Sequence, residues 1–304
     1  MFLFLIKLAY LFTEKDKALR SSNDNASTST PYFDSLPEKF SQGDADALLA
    51  FGRHLHWGYW SDPAKADASL ADFAVAAENL SRRIAEVAEV NNGLNILDAG
   101  CGFGGTIASL NERFSNMHLT GININEQQID IAKKIKALPT NRIEFLYGDA
   151  CKLPFTNDDC FDLVLAIESI FAFSSREQFF KEARRVLRTK GKLTICDFIP
   201  LQAFYQTWKL IEKATKTLVV QTYGSRPINF CPLSEYQRLA EATGFKLVKV
   251  ENITRNTLPT YPIVNSLMRR EGDEETYRAT RGLERLSRRG LLQYMILSFQ
   301  VSPL

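Results

Sequence analysis

Apolar residues follow two different patterns along the chain, and the pattern changes near Leu94. Between Ala64 and Val90 the apolar positions recur at helical spacing, for example Leu70, Phe73 and Ala77 on one face. After Leu94, short apolar runs of strand length alternate with stretches of helical spacing. The pattern therefore indicates a helical N-terminal part followed by an α/β part.

The second part contains seven candidate strands and four candidate helices. The strands are Asn95–Ala99, His118–Ile122, Ile143–Tyr147, Leu163–Ile167, Lys192–Asp197, Lys246–Ile253 and Leu292–Val301. The helices are Thr106–Arg113, Glu126–Ala137, Ser175–Leu187 and Leu233–Thr243. Such alternation predicts right-handed crossovers and a mostly parallel sheet with helices on both faces. The last strand follows a charged helical stretch and is free to pair antiparallel.

The same patterns suggest a division of the chain. Residues 1–31 combine an apolar helix with a polar, turn-rich linker, 32–92 form a helical cap, and 93–304 form the core. An aromatic-rich helical lid insertion over about 199–230 interrupts the core. The initial apolar run, MFLFLIKLAYLF, is shorter than the roughly 20 residues that span a bilayer. We expect it to pack on the domain or a partner chain, with interfacial membrane contact as the alternative.

The composition limits the classes of partner and the location that we expect for this protein. A formal net charge of +2 in 304 residues gives no field that favours nucleic acid, so none is expected as a partner. Five cysteines without a CxxC pair indicate a reducing, cytoplasmic location with neither disulfides nor a metal site. We expect no stable membrane insertion, and the sequence leaves a homodimer open.

The clearest chemical signal is the segment LNILDAGCGFGG, residues 94–105. Gly100, Gly102 and Gly104 follow a buried strand and allow a tight turn in which a ligand can touch the backbone. This turn stands at the carboxyl edge of a parallel sheet, where ligands bind in open α/β folds. Asp98 directly precedes it and suits a cationic group, such as the amino-acid end of S-adenosylmethionine.

A dinucleotide site is the competing interpretation, since Gly100, Gly102 and Gly105 also fit G-x-G-x-x-G. The carboxylate of Asp98 would repel a pyrophosphate. The acidic residue expected about 20 positions later for the ribose is also missing, because the second strand ends in Gly-Ile-Asn. Both features favour S-adenosylmethionine.

A second motif, Gly148-Asp149-Ala150, follows the third strand at the matching sheet edge. Asp149 can accept a hydrogen bond from an adenine amino group, and Ala150 offers a backbone amide. With both motifs the chain resembles the class I, Rossmann-like S-adenosylmethionine-dependent methyltransferases. HWGYW (56–60), GININEQQ (121–128) and ESIFAF (168–173) are similar to cyclopropane synthases, tocopherol and sarcosine methyltransferases, and sugar or polyketide O-methyltransferases.

This resemblance implies roles for particular residues. The glycine turn with Asp98 would hold the cofactor, and the residues that follow the second and third strands would contact its ribose, amino-acid and adenine parts. The segment around His56 would close over it. The cofactor-binding residues expected are Asp98, Gly100, Gly102, Gly104, Asn123, Ile124, Gln128, Asp149, Ala150, Tyr32, His56 and Trp57.

The sequence indicates the reaction less directly than it indicates the cofactor. Many relatives have a histidine near position 172, where this chain has Ala172, so we expect His56, or else His54, as general base, since the usual pKa of histidine suits that role. Glu168 matches an acidic residue of the same loop. An aromatic, apolar acceptor pocket is predicted from Phe171, Phe173, Phe204, Tyr205, Trp208 and Tyr223.

These residues favour methyl transfer to a hydroxyl of a small or medium-sized natural product that is polyketide-, peptide- or sugar-like. N- or C-methylation and lipid modification at a membrane surface are alternatives. The loop after the fourth strand, Glu-Ser-Ile-Phe, lacks the Asn/Asp-Pro-Pro-aromatic pattern of nucleic-acid and protein amide methyltransferases. A non-enzymatic cofactor-binding scaffold is the remaining alternative, which Ala172 supports.

Overall fold

The computed structural model describes residues 49, 51–156, 160–210, 230–270, 272 and 274–302. Within this part of the chain seven strands form one sheet. They are β1 Asn95–Ala99, β2 His118–Asn123, β3 Arg142–Tyr147, β4 Phe161–Ile167, β5 Leu187–Pro200, β6 Phe245–Asn252 and β7 Leu292–Val301.

The strand order is β3-β2-β1-β4-β5-β7-β6. Strands β1 to β5 pair in parallel, whereas β7 runs antiparallel to both β5 and β6. The mostly parallel sheet confirms the prediction, and the last strand takes the antiparallel pairing that the sequence left open. The carboxyl ends of β1, β2 and β4 lie side by side, because Asp98 pairs with Gly121 on one side and Leu165 on the other.

Helices cover both faces of this sheet. They are α1 Leu70–Val87, α2 Gly105–Arg113, α3 Glu126–Ala132, α4 Arg176–Val186, α5 Leu233–Ala242, α6 Thr254–Thr257, α7 Thr260–Arg270 and α8 Glu274–Arg288. Successive residues of β1 face opposite cores, since Ile96 packs with α1 and α2 while Leu97 packs with α4 and α5. Both faces are therefore buried, as a parallel sheet requires.

Two predicted helices have different bounds in the structure. The helical pattern from residue 64 becomes a short 3₁₀ turn, Pro63–Lys65, and α1 starts only at Leu70. Its start is fixed by Ser69, whose hydroxyl accepts a hydrogen bond from the backbone N–H of Asp72 at 3.1 Å. Helix α3 ends at Ala132, five residues before the predicted end at Ala137.

The predicted insertion also starts later than expected. Ile199 and Pro200 still belong to β5, because they pair with Gln293 and Leu292 of β7. A 3₁₀ turn, Gln202–Phe204, and helical backbone over 205–210 follow. The sequence pattern did not separate α7 from α8, which form an additional helical layer packed against α1 and β7.

Several predictions fall outside the described residues: the N-terminal apolar helix and linker, Tyr32, Tyr223 and residues 211–229 of the insertion. Among the described helices, none is long and apolar enough to cross a membrane.

Candidate active site

The glycine turn adopts backbone angles that side chains disfavour. Gly100, Gly102 and Gly104 have φ values of +81°, +54° and +82°. A Cβ atom on Gly100 would approach the Cβ of Ser169 to 2.4 Å, and the Ser169 hydroxyl donates to the Ala99 carbonyl at 2.7 Å. The turn after β1 is thus packed directly against the loop after β4.

A cleft opens beside this turn. It lies where the first four strands end, and its lining residues are Gly100, Ile122, Asn123, Ile124, Gly148, Asp149, Ala150, Ala172, Phe173 and Ser174. Five predicted cofactor-binding residues are brought together there, namely Gly100, Asn123, Ile124, Asp149 and Ala150. Phe173, predicted to bind the acceptor, also lines this cleft.

Hydrogen bonds hold the polar side chains of the cleft in place. The Asn123 amide donates to Oε1 of the buried Gln128 at 2.7 Å, and its oxygen accepts from the Ile124 N–H at 2.9 Å. Oδ1 of Asp149 accepts from the Cys151 N–H at 2.8 Å. Gln128, also predicted to bind the cofactor, does not line the cleft and contacts it only through this bond to Asn123.

Asp98 lies beneath the turn, with only 2% of its surface exposed. Burial alone raises the pKa of Asp98 to about 7. A buried carboxylate costs free energy unless a cation or hydrogen bonds compensate it. A positively charged ligand group at the turn would supply this compensation, so the residues present fit the amino-acid end of S-adenosylmethionine.

The two predicted histidine bases lie in a buried network with helix α1. Nε2 of His54 lies 3.0 Å from the Glu78 carboxylate. For His56, Nδ1 lies 3.0 Å from the Trp57 carbonyl oxygen and Nε2 lies 3.0 Å from the Ser81 hydroxyl. Burial lowers the pKa of His56 to about 3 and lowers that of His54 as well. This geometry does not support the predicted general-base role, because both nitrogens of His56 are engaged.

Glu168 occupies the loop that follows β4, at a φ of +46°, which is rare for a non-glycine residue. Its Oε1 accepts hydrogen bonds from the Trp57 N–H at 2.7 Å and from the Tyr294 hydroxyl. Burial raises the pKa of Glu168 to about 8, although both hydrogen bonds act in the opposite direction. The strained backbone and the fixed carboxylate are features that cluster at functional sites.

Aromatic side chains form one continuous group on the Trp57 side of Glu168. Phe198 contacts Tyr294, Phe230 and Trp57, with ring-centroid distances of 4.6, 5.5 and 5.6 Å. Phe230 in turn contacts Phe171 at 5.7 Å and Trp208 at 5.5 Å. These six residues, Trp57, Phe171, Phe198, Trp208, Phe230 and Tyr294, are called the aromatic group below.

The predicted acceptor residues are divided by this arrangement. Phe171 and Trp208 belong to the aromatic group, while Phe204 is buried and Tyr205 is half-buried against the same core. Sequence reasoning missed Phe198, Phe230 and Tyr294. A signal for Tyr294 did exist, since a tyrosine within an apolar strand needs a partner for its hydroxyl.

A glycine turn after β1, a buried carboxylate before it and a cleft across the strand ends define a Rossmann-like, S-adenosylmethionine-dependent methyltransferase. The family model described as "Methyltransferase domain" matches residues 97–195. Methyltransferase GfsG of Streptomyces halstedii is 30% identical over 217 residues, which cover 70% of this chain and 73% of that protein. The chain belongs to this methyltransferase family.

A second relative and a solved structure are also similar to this chain. The 27-O-demethylrifamycin SV methyltransferase of Amycolatopsis mediterranei is 30% identical over 213 residues, 69% of this chain and 73% of that protein. The crystal structure of the (4+2)-cyclase SpnF aligns with a TM-score of 0.70 at 22% identity, covering 93% of this chain and 99% of that one. This structural likeness shows a shared fold.

Proposed function

We propose that the protein transfers the methyl group of S-adenosylmethionine to a hydroxyl group of a small or medium-sized natural product. A polyketide-, peptide- or sugar-like molecule is the expected acceptor. The proposal is carried by Glu168, a fixed carboxylate between the cofactor-binding turn and the aromatic group. The 27-O-demethylrifamycin relative, whose name specifies an oxygen, is consistent with it.

The position of Glu168 follows from its neighbours in the chain and in space. Ser169, the next residue, packs against Gly100 of the cofactor turn. The Glu168 side chain itself reaches Trp57 and Tyr294 of the aromatic group. An acceptor held against the aromatic group would therefore present its hydroxyl close to both the carboxylate and the cofactor.

In this proposal each residue has a limited task. S-adenosylmethionine supplies, when bound, a methyl group activated by a positively charged sulfur. Glu168 takes the proton that the acceptor hydroxyl loses, and a pKa of about 8 makes it a stronger base than an ordinary carboxylate. The aromatic group holds the acceptor and excludes water, and this alignment contributes a large part of the rate.

The test is labelled-methyl transfer to a panel of polyketide, macrolactone and glycoside alcohols, with matched amines and enols. Mass spectrometry and NMR would locate the label. We expect it on oxygen, and Glu168→Gln should lower kcat by about 10²–10⁴-fold. Glu144→Gln, on an exposed residue of β3, is the matched control.

Two results would contradict the proposal. Label found on nitrogen or carbon would replace hydroxyl methylation by N- or C-methylation. If the label is on oxygen but Glu168→Gln has an unchanged kcat, hydroxyl methylation would stand and the role of Glu168 as general base would be contradicted.

A further inference from the structure

A chain of polar side chains, buried except for the half-buried Glu78, joins helices α1 and α2 to the segment that precedes Trp57. None of its members lines the cleft, and the proposed reaction does not use them. The chain consists of His54, His56, Glu78, Ser81 and Ser109. Buried polar networks are costly unless satisfied, so this one calls for a physical explanation.

The directions of four of these hydrogen bonds follow from their acceptors. The Glu78 carboxylate can only accept, so both Nε2 of His54 and the Ser109 hydroxyl donate to it, the latter at 2.7 Å. The Trp57 carbonyl can only accept, so Nδ1 of His56 donates to it. With that proton on Nδ1, Nε2 of neutral His56 accepts from the Ser81 hydroxyl.

These bonds end on the backbone around Trp57. The Trp57 carbonyl is bound by His56, and the N–H of the same peptide group, that of Gly58, donates to the Thr260 hydroxyl at 3.1 Å. On the other side of Trp57, its own N–H donates to Glu168. Trp57 is therefore held through its main chain on both sides, and one side is the carboxylate proposed as base.

We propose that His56 is a positioning residue for Glu168, since its bond to the Trp57 carbonyl aims the Trp57 N–H at the Glu168 carboxylate. The His54–Glu78–Ser109 branch connects the segment to the helix that follows the glycine turn. The expected effect on catalysis rests on the role of Glu168 in the proposed function. The hydrogen-bonded link from His56 through Trp57 to Glu168 does not depend on that role.

Burial has the largest effect on the pKa of Glu168 and raises it, and four groups that face the carboxylate modify that pKa. The Trp57 N–H and the Tyr294 hydroxyl stabilise its charged form, whereas the Asp197 carboxylate opposes it and the buried Cys196 thiol is a further titratable neighbour. Misaiming the Trp57 N–H weakens one of the two stabilising bonds. The pKa of Glu168 then rises above about 8, and the kcat limb that requires its charged form moves to higher pH.

Two variants of one residue separate positioning from packing. His56→Asn keeps an N–H donor near the place of Nδ1, whereas His56→Gln carries its donor near Nε2 and loses the bond to the Trp57 carbonyl. Ser81→Ala leaves His56 in place but removes its second bond. Thermal unfolding and titration with S-adenosylmethionine establish that each variant is folded.

The direct measurement is a ¹³C NMR titration of the Glu168 carboxyl, assigned by its loss in Glu168→Gln, with kcat followed over the same pH range. We expect His56→Gln to raise the Glu168 pKa by about one unit, Ser81→Ala to raise it less, and His56→Asn to restore most of the wild-type value. If His56→Gln does not fold, Ser81→Ala carries the same test.

Equal Glu168 pKa values in the wild type, His56→Gln and Ser81→Ala would overturn the positioning role. A shifted carboxyl titration with an unshifted kcat profile would confirm the link and contradict the catalytic role of Glu168.

Discussion

Gly105 and Arg53 touch through their main chains, since a Cβ at position 105 would lie 2.0 Å from the Arg53 carbonyl oxygen. The same Cβ would lie 2.7 Å from Nδ1 of His54. The absence of a side chain at Gly105 therefore allows the segment that precedes Trp57 to pack against the start of α2. In dinucleotide-binding folds the third glycine allows the helix to pack closely on the strand, whereas Gly105 allows the backbone of Arg53 to approach the start of α2.

Gly105→Ala should displace this segment and weaken both stability and cofactor binding. Overpacking of this kind costs about 1–3 kcal/mol, and the attached glycine turn should bind S-adenosylmethionine more weakly. Gly93→Ala is the control, because position 93 has a φ of +84° with no atom within 4 Å of the added Cβ. It should lose stability but keep its cofactor affinity, and parallel losses in both variants would contradict the explanation.

Asp98 should couple cofactor affinity to pH. Its pKa in the ligand-free protein is about 7, so at one pH unit below that value only about a tenth of the protein molecules have an ionised Asp98. The affinity for S-adenosylmethionine at that pH should be roughly tenfold weaker than at a pH where Asp98 is fully ionised. Asp98→Asn should bind weakly at every pH. Calorimetric titration over this range measures it, and a pH-independent affinity in the wild type would contradict the assignment.

The same carboxylate should affect stability with a defined sign. Its folded pKa, about 7, exceeds the value of about 3.9 in the unfolded chain, so the ligand-free protein loses stability as the pH rises between these values. Asp98→Asn removes that loss. Its free energy of unfolding should exceed the wild-type value above about pH 7, by an amount that bound cofactor reduces.

Tyr294→Phe should raise the pKa of Glu168 without opening a large cavity. The tyrosine hydroxyl stabilises the carboxylate, so its loss moves the kcat–pH profile to higher pH and lowers kcat at neutral pH by about tenfold. The Phe198–Tyr294 ring contact, 4.6 Å between centroids, should survive the change. A uniform loss of activity at all pH values would point to packing instead.

Trp208 offers a test of acceptor recognition. Its Nε1 is buried and has no hydrogen-bond partner among the described residues. Trp208→Phe removes ring volume together with an unpaired donor whose burial costs about 1–3 kcal/mol, and because these two effects oppose each other, stability should change little. The variant can no longer donate this hydrogen bond to a bound acceptor, so the KM for the acceptor should rise about tenfold. Trp60→Phe is the control: its Nε1 donates to Asp72 at 2.8 Å, and its loss should affect stability alone.

The sheet and the cofactor cleft could be predicted because their signals are local. Strand-length apolar runs end in short polar or glycine-rich turns, and the topology rules then bring Gly100, Asn123 and Asp149 to one edge. The cleft contains all three of these residues. Here the order of elements along the chain is sufficient to place the site.

The acceptor side depended on tertiary contacts that no local pattern contains. Tyr294 reaches Glu168 only because β7 inserts antiparallel beside β5, with Phe198 and Tyr294 in register. The histidines were predicted as bases from their residue type and position before GYW. Their partners Glu78 and Ser81 come from helix α1, whose rotation about its axis the sequence did not fix.

The most direct test of the account is calorimetric titration of the purified protein with S-adenosylmethionine, S-adenosylhomocysteine and NADH, each with the wild type and with Asp98→Asn. We predict micromolar binding of the first two to the wild type, strong weakening in Asp98→Asn, and no binding of NADH. Binding of NADH alone would contradict the interpretation of the glycine turn and the methyl transfer built on it.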